Sequence, residues 1–376
     1  MNTRFYNARI MPMENDCKII CGELWVNNDK ILYIGDEKKT DIIFDREIDV
    51  QENLIIPGFK NAHTHSAMTF LRSSADDLPL QEWLEKQVFP FEAKLEENDV
   101  YTLSQLAILE YLTSGITSNF DMYFFPDAIA KASLDMGFRT CLCPPLNNFS
   151  SSLKDVENTF LKYNEKNSLI SAVLGFHAEY TTDECMLKGL AALAKKYHAP
   201  VFTHNSETQA EVEGCIERHG KTPTQYLDSL GLFEYGGGGY HCVHFNSEDI
   251  EIFKKHKMYV VSNPASNGKL ASGIAPLCDI EKAGVPIALG TDGAASNNCL
   301  DMFREMFLAT TMQKLRYNDA AAMNADKVLQ MACVNGANAM GLDECNCLAQ
   351  GKKADLVILD MQMPNMQPIN NIAKNI

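Results

Sequence analysis

Apolar and polar positions alternate over the first part of the chain, in Phe5-Tyr6-Asn7-Ala8-Arg9-Ile10, Gly22-Glu23-Leu24-Trp25-Val26 and Ile31-Leu32-Tyr33-Ile34. Turn residues such as Asn27-Asn28-Asp29 separate these runs, so residues 1–57 read as short strands without helical spacing. A similar apolar run, 354–360, lies near the other end. The simplest arrangement pairs the two ends into one small β domain.

Between the ends the pattern changes. Strand-like runs fall at 54–57, 116–119, 139–142, 172–176, 201–203, 240–243, 259–262 and 287–290. Helix-like stretches such as 100–113, 127–136, 183–197, 247–256 and 276–283 lie between most of them. Strands alternating with helices imply a parallel sheet, and eight units suggest closure into a (β/α)8 TIM barrel. The run Gly236–Gly239 reads as a pliable turn into the sixth strand. The expected fold is therefore α/β: a TIM barrel over 58–348, with a small β-sandwich domain formed by 1–57 and 349–376. Alternation alone would also suit an open doubly wound sheet.

The placement of polar chemistry favours the barrel. His63 and His65 follow the first proposed strand, His177 the fourth, His204 the fifth and Asp292 the eighth, while His241 and His244 fall within or after the sixth. In a parallel barrel those strand ends converge on one rim; an open sheet would spread them along a line. Two residues apart in an extended segment, His63 and His65 point to the same side and can reach one ion, which suits zinc or iron(II). A single histidine after a strand, such as His204, is usually a structural hydrogen-bonder, but Glu207 three residues on makes this one a candidate. Asp292 precedes a glycine and could be a turn residue, yet the apolar strand before it sets its carboxylate beside the cavity. Asp121 and Glu179 follow strands too and are expected to support the site from behind. His198, His219 and His256 are expected on the surface at the opposite rim.

Composition narrows the function. Hydrophobic residues make up 46% and charged residues 22% of the 376, an ordinary globular balance. The formal net charge of -16 argues against a nucleic-acid backbone or an anionic membrane as partner. Neither a secretory signal nor a bilayer-spanning apolar run is legible, so a cytoplasmic protein is expected. The 12 cysteines are scattered and read as free thiols.

Six stretches carry a family resemblance: Pro57-Gly58-Phe59-Lys60-Asn61-Ala62-His63-Thr64-His65, Leu78-Pro79-Leu80-Gln81-Glu82-Trp83-Leu84, His204-Asn205-Ser206-Glu207-Thr208, His241-Cys242-Val243-His244, Asn263-Pro264-Ala265-Ser266-Asn267 and Gly290-Thr291-Asp292-Gly293-Ala294-Ala295-Ser296-Asn297. The chain resembles the amidohydrolase superfamily nearly end to end and, within it, the deaminases of S-adenosylhomocysteine and methylthioadenosine. Guanine, cytosine and triazine hydrolases share much of the set. The resemblance implies one divalent metal, Zn2+ first with Fe2+ or Mn2+ as alternatives, held by His63, His65, His204 and Asp292. It implies that Asp292 moves the proton of a water, that Glu207 exchanges one with the ring nitrogen, and that His241 orients the attacking oxygen and stabilises charge. Glu92 would bind ribose hydroxyls, His177 a ring nitrogen or sugar, and Trp83 would wall the pocket.

Three departures qualify this. The arginines that suit an amino-acid carboxylate are replaced by Cys143-Pro144-Pro145 and Ser150-Ser151-Ser152-Leu153-Lys154-Asp155, so a neutral tail or none is expected on the substrate. Ser262 stands where a histidine is usual before Asn263. The chain ends at Ile376, where relatives continue through further strands; the β domain is expected to be truncated, with an exposed edge through which copies could form a homo-oligomer. The leading expectation is hydrolytic deamination of an adenine nucleoside such as methylthioadenosine, adenosine or S-adenosylhomocysteine. The alternatives are an aminohydrolase of a guanine-, pterin-, cytosine- or triazine-type ring and a non-catalytic barrel assembly protein.

Overall fold

Gly58 is where the chain leaves one sheet and enters another. The computed structural model describes residues 1–74, 77–164 and 169–376. Strands β1 (Asn2–Ile10), β2 (Ile20–Asn27), β3 (Lys30–Gly35), β4 (Arg46–Asp49) and β5 (Leu54–Pro57) share a six-stranded sheet with Leu356–Leu359 from the far end of the chain. Leu356 pairs with Pro57 and Leu359 with Leu54, antiparallel. The alternation read in the sequence puts Ile10, Leu24, Val26, Ile31 and Ile55 into one apolar cluster with Leu348. Strand pairing yields a single sheet here.

The remaining strands are parallel. β6 (Phe59–Thr64), β7 (Ile116–Asp121), β8 (Arg139–Leu142) and β9 (Ile170–Ala172) form one sheet of four. β10 (Leu174–Gly175), β11 (Val201–Asn205), β12 (Gly237–His241), β13 (Tyr259–Ser262) and β14 (Ile287–Leu289) form a second of five, and Leu356–Leu359 becomes β15. Only Val173 separates β9 from β10, and its N–H donates to Leu142 O at 2.9 Å. Beyond β14 the chain returns to β6, Asp292 N donating to His63 O at 3.0 Å. Between successive strands run helices such as Glu97–Thr113, Pro126–Met136 and Glu184–Tyr197. The result is a TIM-barrel-like α/β architecture whose strand interior is packed by Phe120, Phe202, Tyr240, Val261 and Ala288.

Two expectations need correction. Residues 54–57 were expected to open the barrel, but they lie in the end sheet, and β6 opens the parallel set. Gly58 allows the crossing, since a Cβ there would stand 2.3 Å from the Thr117 side chain and 2.8 Å from Asp355 Oδ1. Lys60, fully buried, fastens the junction by donating to Gly58 O (2.7 Å), Thr117 Oγ1 (2.9 Å) and Asp355 Oδ1 (3.1 Å). All three ammonium protons are used, which is what makes a buried charge tolerable. Of the glycine run, expected as a turn, only Gly236 lies outside a strand; Gly237–Gly239 open strand β12. Gly237 stands at φ 130°, and an added Cβ would meet Val201 O at 1.9 Å; at Gly238 it would strike the Phe202 ring at 2.5 Å. Close packing against β11, not pliability, explains these glycines.

Among the described residues no helix is long and apolar enough to cross a membrane. All 12 cysteines are free thiols.

Candidate metal centre and active site

β6 carries His63 inside the strand and His65 just past it, so the extended backbone turns both imidazoles to one side. β11 contributes His204, β12 ends on His241, and Asp292 follows β14. The ligand atoms of His63, His204 and His241 lie within 4.8 Å of one another, and so do those of His63, His65 and Asp292. The two trios share His63. The expected set of His63, His65, His204 and Asp292 therefore spans both, and His241 lies as close as its members.

Hydrogen bonding fixes how each imidazole faces. His65 Nδ1 meets the Met122 carbonyl and His204 Nδ1 the His177 carbonyl, at 2.5 and 2.7 Å. A carbonyl can only accept, so in both rings Nδ1 carries a proton and Nε2 is the nitrogen turned to the centre. His241 Nδ1 likewise faces Asn267 Oδ1 at 2.7 Å. His63 is the exception, with both ring nitrogens buried and without a hydrogen-bond partner. Such an orphan fits a ligand awaiting its ion, and the imidazole–carboxylate donor set suits a borderline divalent cation.

Electrostatics point the same way. Burial holds His63 and His204 well below the usual histidine range, so both stay neutral. Burial pushes His65 down too, but the facing Asp292 carboxylate outweighs it and lifts the ring to about 9. Burial would raise Asp292, yet His65 and the neighbouring histidines keep it well below the ordinary carboxylate range. Its Oδ1 lies 3.2 Å from His65 Nε2 and 3.6 Å from His63 Nε2, and accepts from Gly293 N at 2.8 Å. Its Oδ2 accepts from Ser266 Oγ (2.6 Å) and Ser296 Oγ (2.9 Å).

Glu207 is buried beside the same cluster, its Oε2 3.8 Å from His241 Nε2. Burial raises its carboxyl above the usual range, opposed mainly by His241. Its backbone is pinned from the following helix, where Glu211 accepts from Ser206 N at 2.9 Å and Glu207 N at 2.8 Å. Burial and the neighbouring Glu207 push Glu211 up to about 7.

The expected substrate contacts lie around this cluster. The carboxyl of Glu92 sits beside Tyr123 and within the field of His65, and burial pushes it up to about 7. Tyr123 in turn lies 6.3 Å from His65, ring to ring. Trp83 is buried in one apolar cluster with Met68 and Tyr123, its indole N–H unpartnered. His177 stands 4.9 Å from His204, ring to ring, and its Nδ1 faces Thr181 Oγ1 at 3.0 Å. Burial lowers it to about 4. His244 stands apart, its Nε2 donating to Ser272 O at 2.8 Å.

Of the supports expected behind the site, Asp121 serves as one, accepting from Ser66 N at 3.2 Å just after His65. Glu179 does not: it is held by Arg218 and by His219, at 3.2 Å from the latter. His198 is exposed, whereas His219 and His256 are half-buried, the second against Asp228 at 2.7 Å. Ser262 is buried at the end of β13. The reading of single residues missed Ser296, Asn267 and Glu211. For Glu211 a signal exists, because Thr208-Gln209-Ala210-Glu211 is the spacing of a capping box, and Thr208 Oγ1 accepts from Glu211 N at 3.2 Å.

Known proteins resemble this chain over most of its length. A 5-methylthioadenosine/S-adenosylhomocysteine deaminase of Thermoanaerobacter pseudethanolicus is 40% identical over 381 residues, covering 99% of this chain and 88% of that protein. The structure of an adenosine deaminase from Xanthomonas campestris with bound zinc superposes with a TM-score of 0.94 at 32% identity, over 99% of this chain and 88% of that one. Guanine deaminase from C. acetobutylicum, at 20% identity and a TM-score of 0.90 over 100% of this chain and 94% of that one, shares the fold. Residues 54–376 match the amidohydrolase family, and the chain belongs to it.

Proposed function

We propose that this protein hydrolytically deaminates an adenine nucleoside, releasing ammonia and leaving an inosine-type product. The observation that carries the reading is the meeting, in one buried cluster, of His63, whose nitrogens lack partners, with Asp292 and the raised carboxyl of Glu207. The deaminase names of the relatives in the same family support it.

His63, His65, His204 and Asp292 would hold one divalent ion, and zinc suits the donor set. A bound divalent ion supplies a water whose pKa falls from 15.7 to about 7. Asp292 accepts the water's proton and later passes it to the departing amine. Burial raises the Glu207 carboxyl and so favours its protonated form, which can donate to the ring nitrogen beside the attacked carbon. His241, its Nδ1–H tied to Asn267, presents Nε2 to the reacting oxygen and stabilises developing charge. Glu92 binds the ribose hydroxyls, His177 a ring nitrogen or the sugar, and Trp83 backs the pocket wall.

The fold reading follows the same line. With β9 and β10 counted as one strand interrupted at Val173, the two parallel sheets make one closed eight-stranded barrel over 58–348, and residues 1–57 with 349–376 make the small β domain. With Cys143-Pro144-Pro145 and Lys154 in place of arginines, a methylthioadenosine- or adenosine-type substrate fits better than S-adenosylhomocysteine. A spectroscopic screen of metal-assayed enzyme against adenine nucleosides, adenosine thioethers, guanine and cytosine tests this. Ammonia release from the nucleosides is the expected result. Release from guanine or cytosine alone would overturn the reading in favour of another ring.

A further inference from the structure

Glu305 belongs to the helix Met302–Tyr317, which delivers none of the site residues above, and its side chain is completely buried. Its two carboxyl oxygens accept from two different segments. Oε2 takes the backbone N–H of Ala265 at 3.0 Å, and Oε1 takes Asn297 Nδ2 at 2.7 Å. Ala265 lies in the first turn of the helix Pro264–Lys269, whose N-cap residue Asn263 makes no side-chain cap bond. That N–H would otherwise be one of the orphan donors of a helix start. Asn297 uses its second amide hydrogen on Thr291 O, at 2.7 Å, directly before Asp292.

These two segments meet again at Asp292. Ser266, next to Ala265, and Ser296, next to Asn297, both donate to Asp292 Oδ2. Asp292 itself stands at φ 58°, a left-handed conformation uncommon for a residue with a Cβ. Regular strand geometry therefore does not aim its carboxylate; the hydrogen bonds around it do.

We infer that Glu305 is a positioning residue for Asp292: it clamps the Ala265 and Asn297 segments so that both serine hydroxyls engage Oδ2 and Oδ1 stays turned toward His63 and His65. This rests on the reading of Asp292 as metal ligand and proton carrier. A carboxyl group two contacts away thus sets the direction of the group that moves the proton, and a displacement near 1 Å at such a group can cost about a hundredfold in rate.

The test is a mutant cycle on metal-loaded enzyme. Glu305→Leu removes both acceptors at similar size. It is expected to lower kcat on an adenine nucleoside roughly 10- to 100-fold with little change in KM. Placed in a Ser266→Ala/Ser296→Ala background, the same substitution should cost no more than about twofold further, because its route of action is already cut. An equal factor in both backgrounds would overturn the inference, since it would mark a general structural effect. A readout independent of turnover is the visible absorption of the cobalt(II)-substituted protein. Glu305→Leu and the double serine variant should shift it alike, and a spectrum unchanged by Glu305→Leu would also overturn the inference. Should unaltered enzyme release no ammonia from any nucleoside, the functional reading fails while the cobalt spectra still decide the role of Glu305. If Glu305→Leu does not fold, Glu305→Gln, which gives up one acceptor only, goes through the same cycle.

Discussion

His63 and Tyr240 stack ring on ring, centroids 3.8 Å apart and planes 20° apart, and neither His63 nitrogen has a hydrogen-bond partner. Stacking of this kind is worth about 0.5–1.5 kcal/mol, whereas each unmet buried polar group costs about 1–3 kcal/mol. Stacking alone does not offset two idle nitrogens. An ion bound to His63 would take up the lone pair of one of them. Zinc added to chelated protein should therefore raise Tm, with about 2.7 kcal/mol of stabilisation once free zinc exceeds its Kd a hundredfold. In His63→Ala the gain should largely disappear. Equal melting of chelated and zinc-supplemented protein would remove the metal centre from the account.

Asp292→Asn keeps the shape of the side chain but removes its charge and its capacity to carry a proton. The loss of kcat should be roughly 10²- to 10⁴-fold, measured as ammonia release at saturating nucleoside with metal content checked. Turnover near normal would dismiss Asp292 as the proton carrier.

Glu92 separates nucleoside from free-base recognition. If its carboxyl binds the ribose, Glu92→Gln weakens one charge-assisted hydrogen bond of about 1.5–3 kcal/mol. KM for ribosides should then rise roughly tenfold or more, while turnover of a free base stays as it was. Equal effects on both substrates would move Glu92 away from the sugar.

Gly238 offers a test of the packing between β11 and β12. A methyl group there would lie 2.5 Å from the Phe202 ring and 2.8 Å from Tyr259 O, in a core without room to yield. Gly238→Ala should destabilise the fold by about 1–3 kcal/mol, read as a lower urea midpoint with an unchanged slope. Unaltered stability would mean the strand can shift, as a pliable turn would.

What the sequence disclosed and what it hid follow from one physical difference. His63, His65, His204 and Asp292 were legible because each sits at the end of an apolar run, and parallel strand ends converge whatever their separation in sequence. Gly237 and Gly238 were misread because the demand for glycine comes from Val201 O and the Phe202 ring, some 35 residues away, a contact invisible to local pattern. The tight contact at Gly58, its Cβ space being filled by Thr117 and Asp355, was invisible for the same reason. Glu92 follows no periodicity that would bury its carboxyl, yet burial raises it, opposed by the neighbouring Tyr123 and His65. The hydrogen bonds from Ser266 and Ser296 to Asp292 depend on closed loops that alternation cannot describe.

Glu305 gives the fold a pH dependence with a definite sign. An unfolded glutamate titrates near 4.5, but burial lifts Glu305 to about 8, against the opposing hydrogen bonds from Ala265 and Asn297; Arg304 lowers it and Asp292 raises it further. Between those values the folded chain holds a proton that the unfolded chain releases. Stability from this group is therefore complete below pH 4.5 and is lost as pH rises through about 8. Glu92 and Glu211, both lifted to about 7, slope the same way. Asp355 and Asp292, held below 3.8, change stability only at more acidic pH. His63, His177 and His204, held below 6.5 by burial, slope the other way under pH 6.5 and are neutral in both states above it. From pH 6.5 to 8 the Tm of metal-free protein should therefore fall, and Glu305→Gln, which cannot titrate, should make that fall shallower without abolishing it. The same slope in both proteins would show that Glu305 keeps an ordinary carboxylate pKa in the folded chain.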